Sequence, residues 1–316
     1  MISKEWVRST VEKRINAIYG LKNPSPDEVD RMVDRQFSRC PAFQFPGYKP
    51  VHPLFGCRQG RAQLKDHYKM FYQCVEMLEF NKQFIVVDGF SASAHYQAKI
   101  KLKESASVYD FELIGLVDVD TEERVRDLKL YFDNSTFLKA VNNRNGDFTD
   151  VRSVMPRPAF DLNFKMNAAE VISELYDYFD AIRAGKGSLE GLYTKWADDA
   201  EISFKSNTDV VPFAGRFSGK EGVRKWFATL VTGWSLATLN FTKIYTEGNT
   251  ADFAMDEQHY FTNPDGSRRF LSCYIVQSWT VDDARRVRYF QSNHDSSWIE
   301  NTLLMTQIYR DYYGYR

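Results

Sequence analysis

Between positions 236 and 295 the chain alternates apolar and polar residues almost without interruption. Four segments, 236–247, 250–262, 268–281 and 286–295, carry the period of two expected of β-strands with one buried face. NPDG at 263–266 and VDDAR at 281–285 punctuate them as turns. Upstream the period becomes helical. Over 167–184, Val171, Leu175, Tyr178, Phe179 and Ile182 fall on one stripe, which Gly185 and Gly187 end. GSLEGLYTKWADD predicts a second short helix, AEISFKSN a strand, VPFAGRF a loop and GKEGVRKWFATLV a further helix. Helices followed by a meander of long strands make an α+β arrangement, a curved sheet wrapped on helices.

The first half of the chain repeats this plan. FGCRQGRAQLKDHY at 55–68 aligns with AGRFSGKEGVRKWF at 214–227, so that Gly56, Gly60, Leu64 and Tyr68 fall on Gly215, Gly219, Val223 and Phe227. FNKQFIVVDGFSA at 80–92 aligns with LNFTKIYTEGNTA at 239–251, and RVRDLKLYFD at 124–133 with RVRYFQSNHD at 286–295. Matches in preserved order indicate a duplication. Two domains are therefore expected, 1–145 and 161–316, joined by NNRNGDFTDVRSVMPRPAF at 142–160, which has Asn-Gly, prolines and little periodicity. The Pro- and Gly-rich stretch 40–60 reads as a long loop inside the first domain.

Composition narrows the function classes. The net charge of −1 comes with no basic block, so neither nucleic acid nor an anionic membrane is an expected partner. No run approaches the length of a membrane span, and MISKEWVRSTVEKRINAIYG is a charged amphipathic helix without the apolar core of a signal peptide. Cys40, Cys57, Cys74 and Cys273 show no Cys-x-x-Cys spacing, which argues for free thiols and a cytoplasmic protein. Aromatic residues reach 15%, enough to fill cores and to line an apolar ligand pocket as well.

FDAIRAGKGSLEGLYTKWADDAEISF, PFAGRFSGKEGVRKWF and a strand ending RVRYFQSNHD resemble the SnoaL-like, nuclear-transport-factor-2-like superfamily of ketosteroid isomerase and scytalone dehydratase. The resemblance spans nearly all of the second half and, in the first, runs from about Phe55 to Val141. It implies two tandem cone-shaped α+β barrel domains, each a curved antiparallel sheet on N-terminal helices around a conical pocket. It also implies hydrophobic substrates and no organic cofactor. Cone folds of this kind pair through the outer sheet face, and a fused duplicate can make that contact internally, leaving a monomer with a pseudo-dimer interface.

With alternate residues facing the cone, the two copies differ. The second copy presents Ala251, Phe253, Met255, Glu257, His259 and Phe261, then Cys273, Ile275, Gln277 and Trp279, then Phe290, Ser292 and His294. The first presents Ala92, Ala94, Tyr96, Ala98, Ile100 and Leu102, then Phe111, Leu113, Gly115 and Val117, then Leu128, Leu130 and Phe132. Inward polar groups cost about 1–3 kcal/mol each when unpaired. Glu257, His259, Gln277, Ser292 and His294 together therefore point to a polar pocket and the active site in domain two. The first copy reads as a sealed, structural one. A single inward His or Gln is more often a satisfied core residue; five such groups across three strands are not.

The resemblance places Tyr178 where ketosteroid isomerase has its oxyanion-binding tyrosine. It puts Phe204 at the position of that enzyme's general base and Gln277 near its protonated acid. A phenylalanine cannot abstract a proton, so steroid isomerisation by that route is not expected. The expected catalytic set is His294 and His259 as acid–base groups, Tyr178 as hydroxyl donor and Glu257 as orienting carboxylate. Phe204, Met255, Gln277, Trp279, Phe290 and Ser292 are expected to contact substrate. His259, His294 and Glu257 could form a facial triad, but no metal set is convincing. The sequence reads as an isomerase, lyase or cyclase acting on a hydrophobic small molecule such as a natural-product intermediate. The alternatives are a binding or scaffold protein without turnover, and an epoxide hydrolase.

Overall fold

The computed structural model describes residues 3–47, 52–134, 137, 138, 149, 150, 157–206, 211, 213–233, 235–262, 268–294 and 299. It divides into two compact units, Met1–Val154 and Met155–Arg316. In the first, α1 (Lys4–Tyr19) and α2 (Pro26–Gln36) precede β1 (Phe37–Phe45) and β2 (Gly56–Gln59), then α3 (Gly60–Cys74). Strands β3 (Val75–Asp88), β4 (Ser91–Leu102), β5 (Val108–Val119) and β6 (Val125–Tyr131) follow, with a short β7 (Thr149–Asp150) beside β5. In the second unit, α4 (Ala168–Arg183), α5 (Leu189–Tyr193), β8 (Trp196–Phe204), β9 (Gly215–Ser218) and α6 (Gly219–Gly233) lead into β10 (Ser235–Glu247), β11 (Thr250–Thr262), β12 (Arg268–Val281) and β13 (Val287–His294).

The two sheets have one topology. The first runs β2-β1-β6-β5-β4-β3 and the second β9-β8-β13-β12-β11-β10. Each path is antiparallel apart from a single parallel pair, β1 with β6 and β8 with β13, and the short β7 adds a second parallel pair, with β5, to the first sheet. The duplication extends to irregularities of the backbone. Strand β3 shifts register between Met77 and Glu79 and between Lys82 and Phe84; β10 does so between Leu236 and Thr238 and between Phe241 and Lys243, the matching places. Such shifts bend a strand and raise its twist, which curves each sheet over its helices. Gly60 and Gly219, at φ +76° and +68°, make the same strand-to-helix turn, where a left-handed backbone favours glycine.

Two sequence expectations change. Residues 40–45 are not loop: β1 continues through Pro41, and its register against β6 slips between Phe37 and Ala42. Proline cannot donate to a ladder but is tolerated at such an irregularity, and Phe43 and Phe45 beyond it are buried. The helix expected over GSLEGLYTKWADD stops at Tyr193, and strand β8 begins at Trp196. Trp196 is among the largest fully buried side chains, and tertiary packing decides its conformation. The NPDG turn lies outside the described residues.

Candidate functional site

The two units treat their interiors differently. In the first, Tyr19, Phe45, Phe71, Phe80, Phe111, Phe132 and Phe137 close around about 20 Å³, room for a single water. In the second, a cavity of about 470 Å³ remains. Its walls are the aromatic rings of Tyr176 and Phe179 from α4, Phe204 from β8, Trp226 and Phe227 from α6, Phe241 from β10, Trp279 from β12 and Phe290 from β13. Polar groups enter from two sides. Glu257, His259 and Gln277 come from the sheet, and Asp180 and Arg183 from the end of α4, where both side chains are largely solvent-exposed and pair at 3.3 Å.

Strand alternation sets the first polar group. Glu257 and His259 lie two residues apart on β11, hence on one face, and His259 Nε2 sits 2.8 Å from Glu257 Oε2. Gln277 on β12 donates through Nε2 to Glu257 Oε1 at 2.7 Å, so both carboxylate oxygens are engaged. Tyr176 of α4 donates its hydroxyl to Gln277 Oε1. The result is a continuous chain, Tyr176–Gln277–Glu257–His259, from helix to sheet along the cavity wall. Gln277 is oriented by it unambiguously, its oxygen toward a phenol and its nitrogen toward a carboxylate. His259 is 2% exposed and Glu257 12%, so water screens the pair poorly. Burial pushes the Tyr176 phenol well above its ordinary range and the Glu257 charge adds to this, so Tyr176 stays a neutral donor.

Of the expected substrate contacts, Phe204, Gln277, Trp279 and Phe290 line the cavity, as do Glu257 and His259. Tyr178 does not. Its hydroxyl lies 3.3 Å from the Ser188 carbonyl and 3.4 Å from the Ser188 amide, bracing α4 against the start of α5. The reason is helical phase. Tyr176, Phe179, Asp180 and Arg183 form one i, i+3, i+4, i+7 face toward the cavity, and Tyr178 falls off it. Met255, Ser292 and His294 are buried without lining the cavity. His294 packs on the ring of Phe204 at 4.5 Å and has Ser292 Oγ 3.3 Å from its Nδ1. Phe204 is itself a wall residue, so His294 stands behind the wall, and an acid–base role for it does not fit this geometry. The side chain of Phe261 lies outside those described. The sequence reading missed Tyr176, whose signal was its place in that four-residue face.

No family model matches the sequence, and no curated protein matches it. Solved structures do. A protein provisionally named an isomerase, from Bacillus subtilis, matches 46% of this chain and 99% of its own at 15% identity and a TM-score of 0.37. An NTF2-like protein from Burkholderia xenovorans matches 44% and 99% at 16% identity and 0.37. A protein provisionally named a SnoaL-like polyketide cyclase, from Shewanella putrefaciens, matches 44% and 96% at 14% identity and 0.33. Nearly the whole of each of these proteins corresponds to less than half of this chain.

Proposed function

We propose that the second domain is an acid–base enzyme for a hydrophobic small molecule, of the isomerase, lyase or cyclase type, needing no organic cofactor, and that the first domain is structural. One observation carries this reading: the buried His259–Glu257 pair, held by Gln277 and Tyr176, on the wall of a cavity lined mainly by aromatic and aliphatic side chains. In such a setting His259 takes a proton from, or returns it to, a bound substrate, and Glu257 orients the imidazole and stabilises its charged form. The rings remove water and hold the substrate flat against them, which strengthens the electrostatics of the pair.

Trp226 and Trp279 supply the test. Hydrophobic hydroxy and carbonyl compounds are screened for quenching of tryptophan fluorescence, and the compounds that bind are followed for conversion or for solvent-deuterium uptake. Glu257→Gln is expected to keep binding within a few-fold and to lower turnover by about 10²–10⁴, the usual contribution of acid–base catalysis. Binding with no turnover of any bound compound would leave a carrier. Unchanged turnover in folded Glu257→Gln would remove the pair from the chemistry.

A further inference from the structure

Cys273 gives the same wall a second capacity. It pairs directly across from Glu257 in the register of β11 and β12, so its side chain emerges on the face that carries Glu257 and His259. The Cys273 sulfur, a Glu257 carboxylate oxygen and a His259 ring nitrogen lie within 4.8 Å of one another. From this geometry we infer that Glu257, His259 and Cys273 form a binding site for a thiophilic divalent cation of the Zn²⁺ class. The inference goes beyond the acid–base reading and stands or falls separately from it.

The donor set selects the ion. A thiolate and an imidazole favour Zn²⁺ and its softer neighbours, whereas Mg²⁺ and Ca²⁺ take oxygen ligands. One carboxylate and one thiolate together balance the charge of a divalent ion. Binding therefore releases the thiol proton to solvent, and no oxidant or reductant is involved. Three protein ligands leave a fourth tetrahedral position, and because Glu257 and His259 are wall residues, the ion borders the cavity. The outer support is already in place. Gln277 Nε2 holds Glu257 Oε1 at 2.7 Å, which leaves Oε2, the oxygen facing His259 Nε2, to bind metal. Strand pairing fixes all three backbone positions before any ion arrives, so binding demands only small side-chain rotations.

His294 is no part of this site. It pairs with Ile275 on the far side of β12 from β11 and stands behind Phe204. Cys273 takes the third place that the sequence alone suggested for a second histidine. Occupancy would tie His259 Nε2 and Glu257 Oε2 to the ion, so the metal-loaded protein is expected to lose turnover that depends on that pair.

Co²⁺ is the probe, because thiolate coordination gives it a charge-transfer absorption that oxygen and nitrogen ligands do not. Chelator-treated full-length protein is titrated with Co²⁺ and then with Zn²⁺. The expected result is one equivalent of Co²⁺ with the thiolate band, displaced by Zn²⁺ and unaffected by excess Mg²⁺. Cys273→Ser is expected to abolish the band with an unchanged circular dichroism spectrum, while a Cys40→Ser, Cys57→Ser, Cys74→Ser triple variant keeps it. Gln277→Leu, which frees the carboxylate, is expected to weaken Zn²⁺ binding about 10- to 100-fold with the band retained. Absence of the band in folded wild-type protein, or its loss in the triple variant, would overturn the site. The two readings fail separately: a protein that shows the Co²⁺ band when loaded but, metal-free, converts no compound refutes only the enzyme, and a protein that turns over when metal-free but shows no band on Co²⁺ addition refutes only the cation site.

Discussion

Tyr176 and Tyr178 show how much depends on a single helical step. Both are tyrosines on the same turn of α4, yet one hydroxyl reaches the Glu257 relay through Gln277 and the other caps the entry to α5. Tyr176→Phe is expected to lower turnover about tenfold, the kinetic equivalent of one hydrogen bond of about 1.4 kcal/mol, without unfolding the protein. Tyr178→Phe is expected to leave turnover within about twofold and to act on stability alone, since a Cβ on Gly191 would already meet its hydroxyl at 1.9 Å. Steady-state rates and melting curves of the two variants separate the roles; a tenfold loss of rate in Tyr178→Phe would restore the sequence-based assignment. In the first domain, His67 is enclosed by Phe43, Phe45 and Tyr68, and among the described residues neither ring nitrogen has a hydrogen-bond partner. Burial, with the nearby Arg58 charge, holds its pKa down to about 3. An unfolded histidine titrates near 6.5. Between those values the unfolded chain binds a proton that the folded one refuses, so stability falls as pH drops from about 6.5 toward 3, by about 1.4 kcal/mol per unit. His67→Leu is expected to remove that slope from urea midpoints measured between pH 6 and pH 4. A slope equal to the parent's would mean that carboxylates alone set the acid sensitivity.

At the scale of elements, the turn that precedes each repeated Arg-Val-Arg is built once and used twice. Asp120 accepts from the amides of Glu122 and Arg124, and Glu123 sits at φ +61°. Asp282 accepts from Ala284 and Arg286, and Arg285 sits at φ +59°. The aspartate holds the turn that sets the register of β5 on β6 and of β12 on β13. Asp120→Ala and Asp282→Ala are each expected to cost about 1–2 kcal/mol in denaturant unfolding, the worth of one exposed and one part-buried bond to a charged acceptor. A change below measurement error in both would show that the strands, not the turn, fix the register. Strand β13 also shows what alternation hides. Phe290, Ser292 and His294 occupy one face, while on the other Tyr289 donates to Gln291 and Gln291 to Asn293, and both faces are buried. A polar residue in a strand is thus no evidence of a solvent-exposed face, and the outward row escaped a reading that looked only at the inward one.

For the whole molecule, the contrast between a filled domain and a hollow one is the main result, and it yields a reciprocal test. Ala98 occupies the place of Glu257 and is 1% exposed, in a domain whose described interior space is about 20 Å³. Ala98→Glu puts an unpaired carboxyl there and is expected to destabilise the first domain by about 3–5 kcal/mol. Glu257→Ala, in the cavity wall of the second, is expected to cost far less. Comparable losses in the two variants would mean that the cavity is closed in solution.

The duplication, the α+β class, the strands from 236 onward and the shared face of Glu257, His259 and Gln277 were legible in the sequence. They follow from local periodicity, glycine turns and alternation, which depend on each residue's neighbours along the chain. Tertiary structure alone decided which inward residues border the cavity and which stand behind it. His294 and Ser292 alternate correctly yet are screened by Phe204 and its neighbours, because sheet curvature and a ring from another strand determine depth, which no period records. It also decided that Tyr176 rather than Tyr178 meets the sheet, since the phase of a helix against its sheet is set by packing of Val171, Ile172 and Leu175. The meeting of Cys273 with Glu257 and His259 has the same origin: register between two strands joins residues that the chain holds sixteen and fourteen positions apart.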